Sequence, residues 1–409
     1  MTHATAQLVE CLAALYPHRE DAERIAQQAG LNPTRIRLSD RAITTWSSIV
    51  TEANKHDGQL DRLIQIVQSP SEYHDNPRLN EAVAQLRSQP TPPPPTQSAP
   101  PNLPNPYTPL DPATEANFVG RNAALKRLHR YIEQRHSVSI VSERKLGKTS
   151  LLKTWAQQMT SAGRTVCWLN GDGAEGQSHA AFVQAITGRT APDEPDAAAD
   201  VLKDWALQHE RRLPGLPPII IVDDFHKVIR RFDPRFGERL RGVQEHVIYA
   251  LSSHKTLDQL YTELGRTSPF GDRMTILPPR NLTLLTPQAA RQLTAQGLPW
   301  FGPDGTTRIY EWAGRHPFYI QLLGWHLIEA HTLGETQADA LDSFRVDAFA
   351  RLQELWLRLP EREKEALQSL RRHQPIPGHL LAPLQTRGLL SSDGSPFANV
   401  LLQWLNQRA

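Results

Sequence analysis

Apolar positions in the first 88 residues recur at helical spacing. Leu8, Leu12 and Leu15 fall at i, i+4 and i+7, as do Leu79, Val83 and Leu86, while Leu60, Leu63, Ile64 and Val67 form a third stripe and Ile43, Trp46 and Val50 a fourth. Such spacing gathers apolar side chains on one face of a helix of about 3.6 residues per turn. Asn32-Pro33, Asp57-Gly58 and Asn76-Pro77 punctuate the stripes with turn chemistry. The pattern predicts a compact all-helical domain over residues 1–88, built from roughly four or five short helices.

Beyond residue 113 the pattern changes. Short β-rich apolar runs, SVSIVS at 137–142, RTVCWLN at 164–170, PPIIIVDDF at 217–225 and HVIYALSS at 246–253, alternate with longer helical stretches. That alternation predicts a parallel α/β sheet, with its core over 113–280. In residues 339–409, Leu352, Leu355, Trp356 and Leu359 make a helical stripe, and Leu380, Leu381 and Leu384 make another after PIPG. The pairing of Arg387-Gly388-Leu389-Leu390 with Ser392-Asp393-Gly394-Ser395 then predicts a small strand or wing, so a winged-helix fold is expected there.

Between the two patterned regions lies QPTPPPPTQSAPPNLPNPYTPLDP, residues 89–112. Its prolines remove amide donors and bias the backbone toward extended polyproline II, which reads as a semi-rigid spacer; a ligand for an SH3-type domain is the other use of such a segment.

Composition narrows the class. At 409 residues the chain exceeds one hydrophobic core, and 39% hydrophobic with 22% charged residues is ordinary for globular proteins. Lys and Arg number 45 against 43 Asp and Glu, so the net charge of +2 offers no global field for nucleic acid or a membrane surface. Cys11 and Cys167 alone cannot make a disulfide framework or a four-cysteine zinc site. The N-terminus has no basic segment followed by an apolar one, and no run approaches the roughly 18 apolar residues of a membrane span. A cytoplasmic protein without a membrane is expected.

The chemistry concentrates in two places. Ser142-Glu143-Arg144-Lys145-Leu146-Gly147-Lys148-Thr149-Ser150 follows a β-run and opens an amphipathic helix, the context a phosphate loop requires. Backbone N–H groups at the helix start can surround phosphate oxygens, Lys148 can reach the β and γ phosphates, and the Thr149 hydroxyl can ligate Mg2+. The first glycine of the GxxxxGK pattern is Ser142 here, a replacement expected to narrow the loop's backbone freedom and lower nucleotide affinity. Downstream, Ile219-Ile220-Ile221-Val222 runs into Asp223-Asp224. A strand that delivers two acids to the C-terminal sheet edge suits Asp223 to holding the metal and Asp224 to orienting or activating the attacking water.

Together with these segments, Phe118-Val119-Gly120-Arg121 and Gly314-Arg315-His316-Pro317-Phe318 make residues 115–335 resemble the STAND class of AAA-like signalling ATPases. The resemblance implies a helical lid over 281–338, contact of Val119, Gly120 and Arg121 with the nucleotide's base region, ATP/ADP and Mg2+ as cofactors, and a phosphate sensor in the lid. His316 and Pro317 match that sensor motif with one residue inserted, and His316 reads equally as the cap of the helix that follows. Ser252, Ser253 and Arg266 occupy the region where the family keeps sensor or arginine-finger residues. Residues 1–88, LVECLAALYPHREDAERIAQQAGL followed by GQLDRLIQIV and NPRLNEAV, resemble the effector-associated domain of type one. That likeness implies pairing with a matching domain on an effector protein in a bacterial conflict or defence system.

Three functions therefore stand open on the sequence. The first is a switch that hydrolyses ATP slowly, with homo-oligomerisation possible. The second is a winged-helix regulator or loader on DNA, which the alternation of Arg358, Arg362, Lys364, Arg371 and Arg372 with Glu354, Glu361, Glu363 and Glu365 disfavours. The third is a nucleotide-binding scaffold without turnover.

Overall fold

The computed structural model describes residues 3–31, 36, 38–39, 42–53, 59–69, 76–88, 104–113, 117–268, 270, 273–278, 282–372 and 374–408. They fall into two compact units, Met1–Ala99 and Pro100–Ala409.

The first unit consists of α1 (His3–Leu15), α2 (Arg19–Gln28), α3 (Ala42–Ala53), α4 (Gln59–Val67) and α5 (Pro77–Ser88) around one apolar core. Leu8, Leu12, Trp46, Val50, Leu63, Ile64, Val67, Leu79 and Val83 are buried, as helical periodicity requires. Ile43 departs from its stripe and is 50% exposed. The covered face of α3 begins one turn further in and runs through Trp46, Ile49, Val50 and Ala53. The Trp46 indole N–H donates to the Tyr16 carbonyl at 3.0 Å, which gives the buried ring the polar partner it needs. Asn76-Pro77 works as a helix start: the Asn76 side chain accepts from the N–H groups of Arg78 and Leu79, both at 3.1 Å, and Pro77 takes the first helical position. Asn32-Pro33, Asp57-Gly58, the Leu86 side chain and residues 89–103 of the proline-rich segment lie outside the described residues.

The second unit opens with α6 (Asn122–Glu133) and continues through β1 (Ser137–Val141), α7 (Lys148–Ser161), β2 (Val166–Asn170), α8 (His179–Thr187), α9 (Pro195–Arg212), β3 (Ile219–Asp223), α10 (Phe225–Val228), α11 (Pro234–Val243), β4 (Ile248–Ser253), α12 (Leu257–Glu263) and β5 (Met274–Ile276). The strands pair in the order β2-β3-β4-β1-β5, every pairing parallel. Every residue of β3 and β4 is buried, because helices cover both faces of the sheet. Alternate residues of β3 serve the two faces: Ile219 and Ile221 join Leu128, Leu151 and Trp155, while Ile220 and Val222 join Phe182, Leu202 and Phe236. Four strands lie where the apolar runs place them. The fifth, β5, has only three residues at the sheet edge and leaves Ile276 45% exposed, so it carries no apolar run to reveal it.

Seven helices complete this unit among the described residues: α13 (Pro287–Thr294), α14 (Leu298–Ala313), α15 (Pro317–Leu333), α16 (Gln337–Arg358), α17 (Glu361–Arg371), α18 (Gly378–Thr386) and α19 (Asn399–Gln407). Helix α15 is buried on nearly all sides, through Phe318, Ile320, Leu323, Leu327 and Ile328 among others, as a helix at the centre of a bundle must be. One apolar cluster runs from Tyr107 through α13–α15 to Leu401, Trp404 and Leu405 in α19. The lid and the C-terminal segment thus share a core, and the expected division at residue 338 is no gap in packing. After α17 and α18 one antiparallel bridge, Leu390 with Pro396, lies where the small strand or wing is expected, and α19 follows it. No described helix is long and apolar enough to cross a membrane.

The expected spacer ends earlier than residue 112. Tyr107 is 1% exposed; its hydroxyl donates to the Thr294 carbonyl at 2.7 Å and accepts from the Gly297 N–H at 3.0 Å. Its ring lies where a Cβ on Gly324 would come within 2.5 Å. Thr108 N–H donates to the Gln321 side chain at 2.8 Å, and Ala113 N–H to the Ser150 hydroxyl at 3.0 Å. This segment is a strap fastened at one end to the lid and at the other to α7. Tyr107→Ala is expected to lower the unfolding free energy of this unit by about 3–5 kcal/mol, the range for deleting a buried aromatic ring. Tyr107→Phe, which strands the Gly297 N–H, should cost only about 1–3 kcal/mol in the same urea titration.

Candidate nucleotide site

The loop between β1 and α7 is shaped by two residues in the left-handed region, Lys145 (φ 65°) and Gly147 (φ 93°). Ser142 is not among the residues with positive φ, so the backbone freedom that glycine supplies is not needed at that position. Its side chain is buried, with the hydroxyl 3.3 Å from the Glu143 carbonyl. Gly147 caps α7, and its open surroundings leave nothing within 4 Å of where a Cβ would stand. The Lys148 ammonium donates to the carbonyls of Ser142 at 2.9 Å and Glu143 at 3.1 Å. Burial pushes the pKa of Lys148 down, against the opposing pull of Asp224, Glu143 and Asp223.

Asp223 is held from both sides. Thr149 Oγ1 donates to its Oδ2 at 2.6 Å, and Ser252 Oγ, at the end of β4, donates to its Oδ1. The same Ser252 oxygen accepts from the Asp224 N–H at 3.0 Å, so one hydroxyl ties β4 to both acids. Asp224 is a non-glycine residue at φ 54°, ψ 43°, a conformation aspartate tolerates better than most residues. That turn swings its carboxylate out of the strand direction toward Lys227, whose ammonium stands 3.3 Å away and also pairs with Asp172.

These groups border a cavity of about 340 Å3, lined by Val119, Arg121, Arg144 to Ser150, Asp224, Lys227, Pro317, Phe318, Gln321 and residues 108–113 of the strap. The volume is at the lower end of the range for small-molecule sites. Of the residues singled out from the sequence, Val119, Arg121, Gly147, Lys148, Thr149, Ser150, Asp224 and Pro317 meet here. Arg121 reaches under the loop and donates to the carbonyls of Leu146 at 3.1 Å and Thr283 at 2.7 Å; burial draws its pKa down to about 10. Gly120 is a packing position: a Cβ there would lie 2.2 Å from that of Ala289. Lys227 and the strap escaped sequence reasoning. Lys227 left one signal, its place three residues after Asp224, and the strap left the lone tyrosine in a proline-rich run.

Thr149, which lines the cavity, and the buried Asp223 bonded to it offer two hard oxygens, a donor set that suits Mg2+, which commonly takes few protein ligands and completes its shell with phosphate and water. Among the described residues no group of three or more His, Cys, Asp or Glu could hold a metal ion.

His316 stands apart. It is the residue before α15 but makes no side-chain capping bond. Its ring lies 4.7 Å from that of Tyr319 and 5.2 Å from that of Phe397, in a neighbouring cavity of about 200 Å3 that also holds Glu143, Arg358 and Arg387. Ser253 Oγ turns to the Lys255 carbonyl, and Arg266 reaches the Phe232 carbonyl at 3.5 Å.

Residues 1–87 match the family model of effector-associated domain 1. The N-terminal resemblance is thereby met. No curated protein matches the chain. Among solved structures, a Walker-type ATPase of Pyrococcus abyssi is 13% identical, with 73% of this chain and 99% of that one covered and a TM-score of 0.49. The Aeropyrum pernix ORC1 protein, solved in complex with DNA, is 14% identical over 71% and 93% at 0.39. A Signal Transduction ATPase with Numerous Domains (STAND) protein with a tetratricopeptide repeat sensor from Pyrococcus horikoshii is 16% identical over 71% and 43% at 0.32. Superpositions this loose say nothing about chemistry, which has to be read from the residues of the site.

The buried ring of His316 makes stability depend on pH. Burial, reinforced by the Arg121 charge, lowers its pKa from 6.5 to about 3. The folded protein keeps the imidazole neutral, whereas the unfolded chain protonates it below about pH 6.5, so stability is complete above that value and is lost as the pH falls toward 3. Between pH 7 and 5 this one group should remove about 2 kcal/mol. His316→Phe is expected to reduce the loss of unfolding free energy over that interval by that amount, as read from urea titrations at both pH values.

Proposed function

We propose that this chain is an ATP-binding switch of the STAND type, in which nucleotide exchange or slow hydrolysis controls how the N-terminal module recruits an effector protein. One observation carries the proposal: Thr149 of the loop and Asp223 of β3 meet at 2.6 Å beside the buried Lys148 ammonium, at the edge of a cavity walled by loop, lid and strap. Lys148 and the loop amides are suited to neutralising and binding phosphate oxygens. Thr149 and Asp223 would hold Mg2+, which would supply charge neutralisation when bound. Asp224, on the cavity side of the strained turn, is the group that can orient a water toward the terminal phosphate. Its pairing with Lys227 competes with that role and suits a slow relay better than a motor.

The match of residues 1–87 to effector-associated domain 1 supports a partner carrying a like domain, and with it a place in bacterial defence signalling, with assembly into homo-oligomers as the output. Two free cysteines are in keeping with the cytoplasm. DNA is a weaker partner: Lys364 is engaged by Glu361, and Arg387 by Glu143 and Glu363, so these two cations of the C-terminal helices are already committed to acids.

ATP binding and turnover by wild type, Lys148→Ala and Asp224→Asn, with particle mass measured alongside, test the proposal. Lys148→Ala should lose at least about a hundredfold in affinity, since it removes a buried charge from the phosphates. Asp224→Asn should bind normally yet hydrolyse about a hundredfold more slowly and favour the assembled particle. Identical behaviour of all three proteins would refute it.

A further inference from the structure

The phosphate loop contains an acid, Glu143, that the nucleotide chemistry does not use. Its carboxylate is almost wholly buried, accepts from the Arg144 N–H at 3.0 Å, and receives Nη1 of Arg387 at 2.7 Å. Arg358 Nη2 stands 3.9 Å away. Arg387 closes α18 and grips Glu363 of α17 as a fork, Nε to Oε2 at 2.6 Å and Nη2 to Oε1 at 3.3 Å. It therefore bridges an acid of the C-terminal helices and an acid of the loop, 244 positions earlier in the chain. The next residue adds a steric contact: Gly388, at φ 73°, lets the backbone approach so closely that a Cβ would stand 2.9 Å from Leu146 of the loop.

Resting on the nucleotide-switch reading, we infer that Arg387 is a positioning residue of the nucleotide site: by holding Glu143 it fixes the phosphate loop, and nucleotide release is thereby set by how the C-terminal helices are seated. The linkage is short. Arg387 holds the Glu143 side chain, the Glu143 carbonyl accepts from the Lys148 ammonium at 3.1 Å, and Lys148 is the loop's phosphate ligand. Leu146, pressed by Gly388, gives its carbonyl to Arg121, so both contacts end on groups that shape the same loop. Lifting α17 and α18 would take Arg387 from the buried Glu143 carboxylate and leave it without its nearest cation, so the loop that carries Lys148 loosens as the helices move.

The test uses the full chain as wild type, Glu143→Gln, Arg387→Gln, Arg387→Lys and the Glu143→Gln/Arg387→Gln double variant. Release of a fluorescent ADP is followed by stopped flow, and amide exchange of residues 142–148 is measured without nucleotide. Glu143→Gln and Arg387→Gln should each speed release by about tenfold, the equivalent of one charge-assisted hydrogen bond, with association unchanged. The double variant should be no faster than either single one, Arg387→Lys should fall between, and exchange in the loop should rise in step. Should Arg387→Gln not fold, with two acids left unpaired, Glu143→Gln keeps the Arg387–Glu363 fork and decides the matter. Wild-type release and wild-type loop exchange in folded Glu143→Gln would overturn the inference. Loop exchange that rises in a protein with no affinity for ADP would support the positioning role and overturn the nucleotide reading instead.

Discussion

A phosphate loop must keep most of its N–H groups for an anion, so its shape has to be held mainly at its carbonyls and side chains. Here the holding is done at its carbonyls and at one carboxylate. Lys148 gathers the carbonyls of Ser142 and Glu143, Arg121 takes that of Leu146, and Arg387 clamps the side chain of Glu143. Those three cations come from the start of α7, the segment before α6 and the end of α18. A loop of nine residues is thereby the meeting point of α7, the segment before α6 and the C-terminal helices, and a change in any of them reaches the loop.

The acids are fixed by the same economy. The parallel order places β4 between β1 and β3, which brings Ser252 between the phosphate loop and the two aspartates. Its hydroxyl donates to Asp223 and accepts from the Asp224 N–H, so the last residue of β3 and the turn after it are set by a neighbouring strand. The left-handed turn at Asp224 then separates two adjacent acids by role: Asp223 stays with Thr149 in the interior, and Asp224 faces the cavity and Lys227. Side chains alone would not separate them, since successive residues of one strand differ only in the face they serve.

Periodicity made the architecture legible: four of the five strands and four of the five helices of the first unit follow from apolar spacing, and the loop and acids from a motif placed at strand ends. What escaped has a common physical cause. β5 and the strap carry too few apolar residues to register, Ile43 shares a stripe but not its cover, and Tyr107 is a single anchor inside a run of prolines. The ion pair of Arg387 with Glu143 joins positions 244 residues apart, which no local pattern encodes. Ser142 shows the reverse: the motif led to an expected loss of backbone freedom there, but the left-handed residues are Lys145 and Gly147. His316, taken from a lid motif, points to the cavity shared with Glu143 and Arg387 rather than to the one that Pro317 lines.

The proposed switch takes its nucleotide in the cavity between loop, lid and strap. Calorimetric titration of the full chain with ATP and with ADP, each with and without Mg2+, tests that most directly. The account predicts one site per chain for both nucleotides, with micromolar or tighter affinity and a gain from Mg2+ for ATP. Absence of any binding heat up to millimolar nucleotide, with the protein folded, would contradict it.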